Sequence, residues 1–108
     1  MPVYNKLVRD KIPQIIEAAG KTFTMRTLSD EEYRHELRKK AFEELEEYVS
    51  AKDDVTAIEE LADLLEIIHA LAECHGATIE QVEAVRAEKA EKRGGFQEKI
   101  FLIEVHDE

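Results

Sequence analysis

The sequence predicts an all-α chain, an antiparallel bundle of helices joined by short loops. Three observations predict it. Two capping boxes, Ser29 with Glu32 and Thr78 with Gln81, each open a long helical pattern. Glycines at positions 20, 76 and 94–95 fall where such patterns stop. Between them, apolar residues recur at spacings of three and four.

Taken in order, residues 1–9 carry no helical period and read as extended. A first helix is predicted over Asp10–Ala19, with Asp10 as N-cap, Pro13 in the first turn and Gly20 as the stop. Residues 21–28, Lys-Thr-Phe-Thr-Met-Arg-Thr-Leu, are β-branched and alternating, which allows a short strand. The second helix opens at Ser29 and runs to Ser50, and Ala51-Lys52-Asp53-Asp54 is a short polar break. The third helix spans Val55–His75 and stops at Gly76; the fourth opens at Thr78 and ends before Gly94-Gly95. Residues 100–105, rich in β formers, offer a second short strand that would pair with residues 21–28.

The composition supports a single domain over residues 1–108, small for a self-sufficient enzyme. With 44% hydrophobic and 37% charged residues it reads as globular rather than disordered. No apolar run approaches the ~18 residues of a membrane span, and Met-Pro-Val-Tyr-Asn-Lys lacks the apolar region of a signal peptide. The lone Cys74 has no disulfide or CxxC partner, which fits a reducing compartment and a cytoplasmic location. A net charge of −10 argues against nucleic-acid polymers, whose backbones are held by a surplus of Lys and Arg. For a small phosphate ligand, a divalent cation would have to invert the local field.

Four carboxylates stand where carboxylates are costly. Each helical residue advances ~100° about the axis. With Glu44 at zero, the apolar side of helix two holds Tyr33, Leu37, Tyr48, Ala41, Leu45, Val49 and Phe42, from about −20° to 160°. Glu44 falls within that stripe and Glu47 lies ~60° away at its edge. With Glu60 at zero, helix three places Ile67, Leu71, Leu64 and Ala57 between about −20° and 60°, and Asp63 ~60° off on the other side. Each helix therefore carries an i, i+3 acidic pair on or beside its packing face. One ionised carboxylate there costs several kcal/mol unless compensated, and Lys40 is the only basic residue of the two helices placed to compensate. A hard divalent cation, Mg²⁺ or Mn²⁺, held by Glu44, Glu47, Glu60 and Asp63 resolves the conflict.

These residues make Glu43-Glu44-Leu45-Glu46-Glu47 and, after a gap, Glu60-Leu61-Ala62-Asp63. The pattern resembles the EExxE…ExxD signature of the all-α nucleoside triphosphate pyrophosphohydrolases, the MazG-like and phosphoribosyl-ATP pyrophosphohydrolase-like superfamily. Tyr4-Asn5-Lys6-Leu7-Val8-Arg9-Asp10-Lys11-Ile12-Pro13 and Lys89…Arg93-Gly94-Gly95-Phe96 extend the resemblance, which looks like the single-domain house-cleaning branch.

The resemblance implies hydrolysis of a nucleoside triphosphate between the α- and β-phosphates, giving a monophosphate and pyrophosphate, with clearance of non-standard nucleotides as the role. It implies the same four metal ligands, with Glu47 as the preferred acceptor of the water's proton. Glu43 points away from the ligand face on the wheel and would support a ligand or pair with a basic residue. Lys89 and Arg93, i and i+4 on helix four, would grip phosphate, as would Lys40 and the basic cluster Lys6, Arg9 and Lys11. Related enzymes complete the site across an interface, so a homodimer or higher oligomer is expected. The alternatives are phosphoribosyl-ATP pyrophosphohydrolase of histidine biosynthesis and a non-catalytic helical interaction module. His35 and His69 lie opposite the acidic pairs and read as solvent-facing, and Cys74 reads as core.

Overall fold

The computed structural model describes residues 2–107. It is all-helical, with α1 (Ile12–Ala18), α2 (Asp30–Ser50), α3 (Asp54–Cys74) and α4 (Ile79–Arg93).

The long helices begin where their caps dictate. Ser29 Oγ accepts from the Glu32 amide at 3.2 Å, and Glu32 Oε1 accepts from the Ser29 amide at 3.1 Å. Thr78 and Gln81 make the same reciprocal pair at the head of α4. At α3 it is Asp53 that caps, its Oδ1 accepting from the Thr56 amide at 2.8 Å. That bond holds the Asp53 carboxyl below its usual pKa.

Helix α1 corrects the predicted start. Asp10 is not its N-cap; Lys11 holds that position and makes no side-chain cap bond. The reason is chemical. With Asp10 as cap, the third helical residue would be Pro13, which has no amide hydrogen to donate. Proline instead serves at the first turn, and Gly20, at φ +78°, closes the other end.

The predicted strands are also corrected: among the described residues there is none, and both 21–28 and 100–105 are irregular. A strand needs a backbone partner, and the hydrogen bonds of the described residues join neither segment to the other. Arg26 is instead engaged at the start of α2, donating to both carboxylate oxygens of Glu32 at 3.2 and 2.7 Å. Those bonds, with the capping bonds from Ser29, bring the Glu32 carboxyl down to about 2.

Helices α2 and α3 form an antiparallel hairpin, and α4 packs on α3. Arg34, early in α2, donates from Nη2 to the Cys74 carbonyl at the end of α3, at 2.8 Å. The seam between the helices is thin. Leu37 and Ile67 are its buried hydrophobics; Ala72, about 120° round α3 from Glu60, is buried outside it, and Cys74 is only half-buried. The apolar arc predicted for α2 is covered only on the side of Tyr33, Leu37 and Ala41, while Leu45, Val49 and Phe42 are exposed. Two helices can cover only one side of each other, so a wider stripe needs a further layer. The chain is accordingly elongated, 68 × 36 × 23 Å, with a radius of gyration of 18.8 Å against the ~13 Å usual for its length. Among the described residues, no helix is long and apolar enough to cross a membrane.

Replacing Asp53 by Ala removes the α3 cap and is expected to lower unfolding free energy by about 1 kcal/mol. Lys52→Ala, which removes no such bond, should stay within about 0.5 kcal/mol of the wild type. Urea denaturation followed by circular dichroism measures both.

Candidate metal centre

In the part of the hairpin nearer its turn, Glu44 of α2 faces Glu60 of α3, and Glu47 lies one turn further along α2. One carboxylate oxygen from each of the three lies within 4.8 Å of the other two. Glu44 is buried, with 9% of its surface exposed. Its Oε1 has Lys40 Nζ at 4.0 Å, while its Oε2 and the Oε2 of half-buried Glu60 are sealed from solvent without a hydrogen-bond partner. Glu47 is exposed at the rim.

The electrostatics follow from this crowding. Glu60 is pushed up to about 7, first by the contact with Glu47, then by desolvation and by Glu44. Glu44 is raised too, chiefly by burial and then by the charge of Glu47. Ionised carboxylates have no hydrogen to donate, so these contacts become hydrogen bonds only when one partner carries a proton. A hard divalent cation does the same work without one. Its oxygen ligands, at about 2.0–2.6 Å from the ion, stand up to about 5 Å apart across it, a span that the three carboxylates match. The orphaned, buried oxygens of Glu44 and Glu60 supply the donor set such a cation takes.

The fourth predicted ligand is placed differently. Asp63 projects one turn along α3 from Glu60, but its Oδ1 accepts from Arg9 Nη2 at 2.8 Å. This corrects the expectation that Lys40 alone compensates the four carboxylates: the segment before α1 supplies a second cation. Both partners are about half exposed, so the pair is worth under about 1 kcal/mol and exchanges readily.

The remaining candidates divide. Lys6 and Lys40 line one small recess with Glu43, Glu36, Lys39 and Leu7, so these bases do sit beside the acidic run. Glu46 is exposed, as its place near 200° from Glu44 predicts, whereas Glu43, placed on the wet side by the same wheel, is half-buried among these residues. Lys11 is exposed at the start of α1. Lys89 and Arg93 are exposed on α4, and no hydrogen bond or ion pair among the described residues links them to the carboxylates. His35 and His69 are solvent-facing.

No family model matches the chain, and no solved structure matches it. A relative from Mycolicibacterium smegmatis, described as an uncharacterized protein, is 46% identical over 54 residues. That match covers 50% of this chain and 55% of the relative, so the chain spans about half the length of the protein it resembles.

The raised carboxyls set a pH dependence. Between about 4.5 and 7 the folded chain retains a proton at Glu60 that the unfolded chain has released. Without divalent ions, this contribution to stability is full below pH 4.5 and is lost as pH rises through about 7. The Glu32 carboxyl, at about 2, titrates outside that window. Thermal melts in EDTA from pH 5 to 8 should show the fall, and Glu60→Gln should flatten it. An equal slope in the variant would place the titration elsewhere.

Proposed function

We propose that the chain is a Mg²⁺-dependent nucleoside triphosphate pyrophosphohydrolase of the all-α MazG-like kind, acting in the cytoplasm. One observation carries the reading: a buried glutamate with an unpartnered oxygen, Glu44, is crowded by Glu60 across the helical seam and by Glu47 one turn along its own helix. A structural protein gains nothing from that arrangement, since an uncompensated buried carboxylate costs several kcal/mol. A phosphate-handling enzyme needs it. The EExxE…ExxD pattern and the basic residues of the segment before α1 supply the rest of the argument.

In this reading Glu44, Glu47 and Glu60 hold the cation, with Mn²⁺ as a substitute for Mg²⁺. A divalent cation there neutralises phosphate charge and makes water more acidic. Asp63 would be free to join the ligand set if Arg9 exchanged it for a phosphate oxygen of the nucleotide, a charge-assisted contact of the same kind. Lys6 and Lys40 add positive charge on the same flank. Glu47, the exposed member of the cluster, has solvent access and accepts the proton of the water that attacks the α-phosphorus. The electron pair of the broken bond leaves with pyrophosphate, and the nucleoside monophosphate retains the new oxygen. Glu43 restrains the neighbouring lysines. The chain acts as a homo-oligomer, which the thin core and exposed apolar surface favour.

Mg²⁺ should raise the melting temperature of the wild type by mass action, with no gain in Glu60→Gln. An equal shift in both would remove the cation from this site. Incubated with nucleoside triphosphates and Mg²⁺, the protein should yield monophosphate and pyrophosphate on anion exchange. Diphosphate with orthophosphate would contradict the reading, and absence of turnover across the common and modified bases would leave a non-catalytic module.

Single variants separate ligands from bystanders in the acidic run. Glu44→Gln and Glu47→Gln should each lower kcat by at least ~100-fold. Glu46→Gln, on the exposed side, should stay within about threefold. Steady-state kinetics at saturating Mg²⁺ decide it; an inactive Glu46→Gln beside a normal Glu44→Gln would refute the assignment.

A further inference from the structure

The hairpin has two unlike sides. Measured about each helix from the facing glutamate, Phe42, Leu45 and Val49 of α2 lie at about 160°, 100° and 140°, and Ile58, Leu61 and Leu65 of α3 repeat those angles. In an antiparallel pair, equal offsets from the facing residues fall on the same side, so Leu45 and Leu61 stand at the middle of an apolar side that Val49 and Leu65, then Phe42 and Ile58, extend round the outer flank of each helix. Glu47 and Asp63, both near −60°, lie on the other. The six are between 46% and 75% exposed.

The segment after α4 is exposed in the same way. Gly94, at φ +82°, ends the helix, and Lys99 bonds back only to the Phe96 carbonyl, at 3.1 Å. Phe96, Ile100, Phe101, Leu102, Ile103 and Val105 are between 72% and 96% exposed. No hydrogen bond among the described residues ties residues 100–105 to any helix. An extended run directs alternate side chains to opposite sides; here Phe101, Ile103 and Val105 take one and Ile100 and Leu102 the other. Such a run is suited to burial on both faces.

The area bounds how much a partner would have to cover. The chain exposes 10195 Å², where a folded monomer of 12.4 kDa exposes roughly 6,000 Å². The excess, roughly 4,000 Å² per copy, is more than one flat contact removes, since a standard interface takes only about 800 Å² from each partner. Reciprocal arms raise that figure, because each copy both gives an arm and receives one. From Gly94 to Val105 the chain can reach about 35 Å, enough to cross two helices of about 10 Å each.

We infer that residues 96–105 are an exchanged arm that leaves its own chain and lies on a second copy, against the apolar face of Phe42, Leu45, Val49, Ile58, Leu61 and Leu65. The inference rests on the homo-oligomer proposed above and is independent of cation and nucleotide. It also leaves the carboxylate side of the hairpin open, because the receiving face is the opposite one.

Sedimentation of the full chain tests it. The wild type should have the mass of two or more copies. The double variant Phe101→Glu/Ile103→Glu should weaken association by at least ~100-fold with its helical circular dichroism unchanged, and Leu61→Glu should do likewise. Unchanged association in the arm variant overturns the arm while leaving the oligomer standing. A monomeric wild type at about 100 µM, where even weak specific pairs form, overturns both. Should the variants misfold, a photocrosslinking phenylalanine at position 101 in a mixture of light and ¹⁵N-labelled chains keeps the question open to refutation. Crosslinks of mixed mass to peptides within residues 42–65 are expected; crosslinks of uniform mass alone overturn the exchange.

Discussion

Glu44 and Glu60 meet in the α2–α3 seam, toward its turn, and the rest of the hairpin is arranged around their repulsion. A seam of two apolar stripes would close there; this one holds carboxylate oxygens without partners. Two ways of relieving the repulsion are built in. One is a proton, which the crowding retains at Glu60 up to about pH 7. The other is positive charge, supplied on the flanks by Lys40 and Arg9. Neither flanking cation reaches the two orphaned oxygens.

The same seam explains why the core is thin. Positions that would hold leucine in an ordinary helical pair hold glutamate, so burial between α2 and α3 falls to Leu37 and Ile67. Apolar surface that a compact domain would turn inward remains on the opposite side of the hairpin, near Phe42 and Leu65. Site and exposed face are thus two results of one choice of residues. Placing charge in the seam moves the hydrophobic driving force outward, where association can use it.

Much of this was legible in the sequence, and the reasons differ by element. The two capping boxes specify helix starts through local bonds alone, so Ser29 and Thr78 could be read directly. The pairing of Glu44, Glu47 and Glu60 was legible because periodicity puts them on faces that a short loop must bring together. Asp53 was read as part of a polar break, although an Asp ahead of a helical run is itself a cap signal. The start of α1 departs from the Asp10 cap because Pro13 has no amide to donate at the third helical position. The bond between Arg9 and Asp63 joins positions 54 residues apart, and no periodic signal carries it. Alternation in residues 21–28 specifies a side-chain pattern only, whereas a strand also needs a partner strand along its backbone, which neither 21–28 nor 100–105 has among the described residues.

The turn between α2 and α3 is only three residues long, Ala51 to Asp53. Glu44 and Glu60 are therefore brought together by nearby stretches of chain, and pairings of low sequence separation form early in folding. The cluster can assemble on a single chain as soon as the hairpin closes. A contact between chains must instead wait for an encounter, at a rate set by concentration. In a dilute newly made population the acidic centre is thus complete before any association between chains, and an ion bound at that stage would hold the hairpin in register.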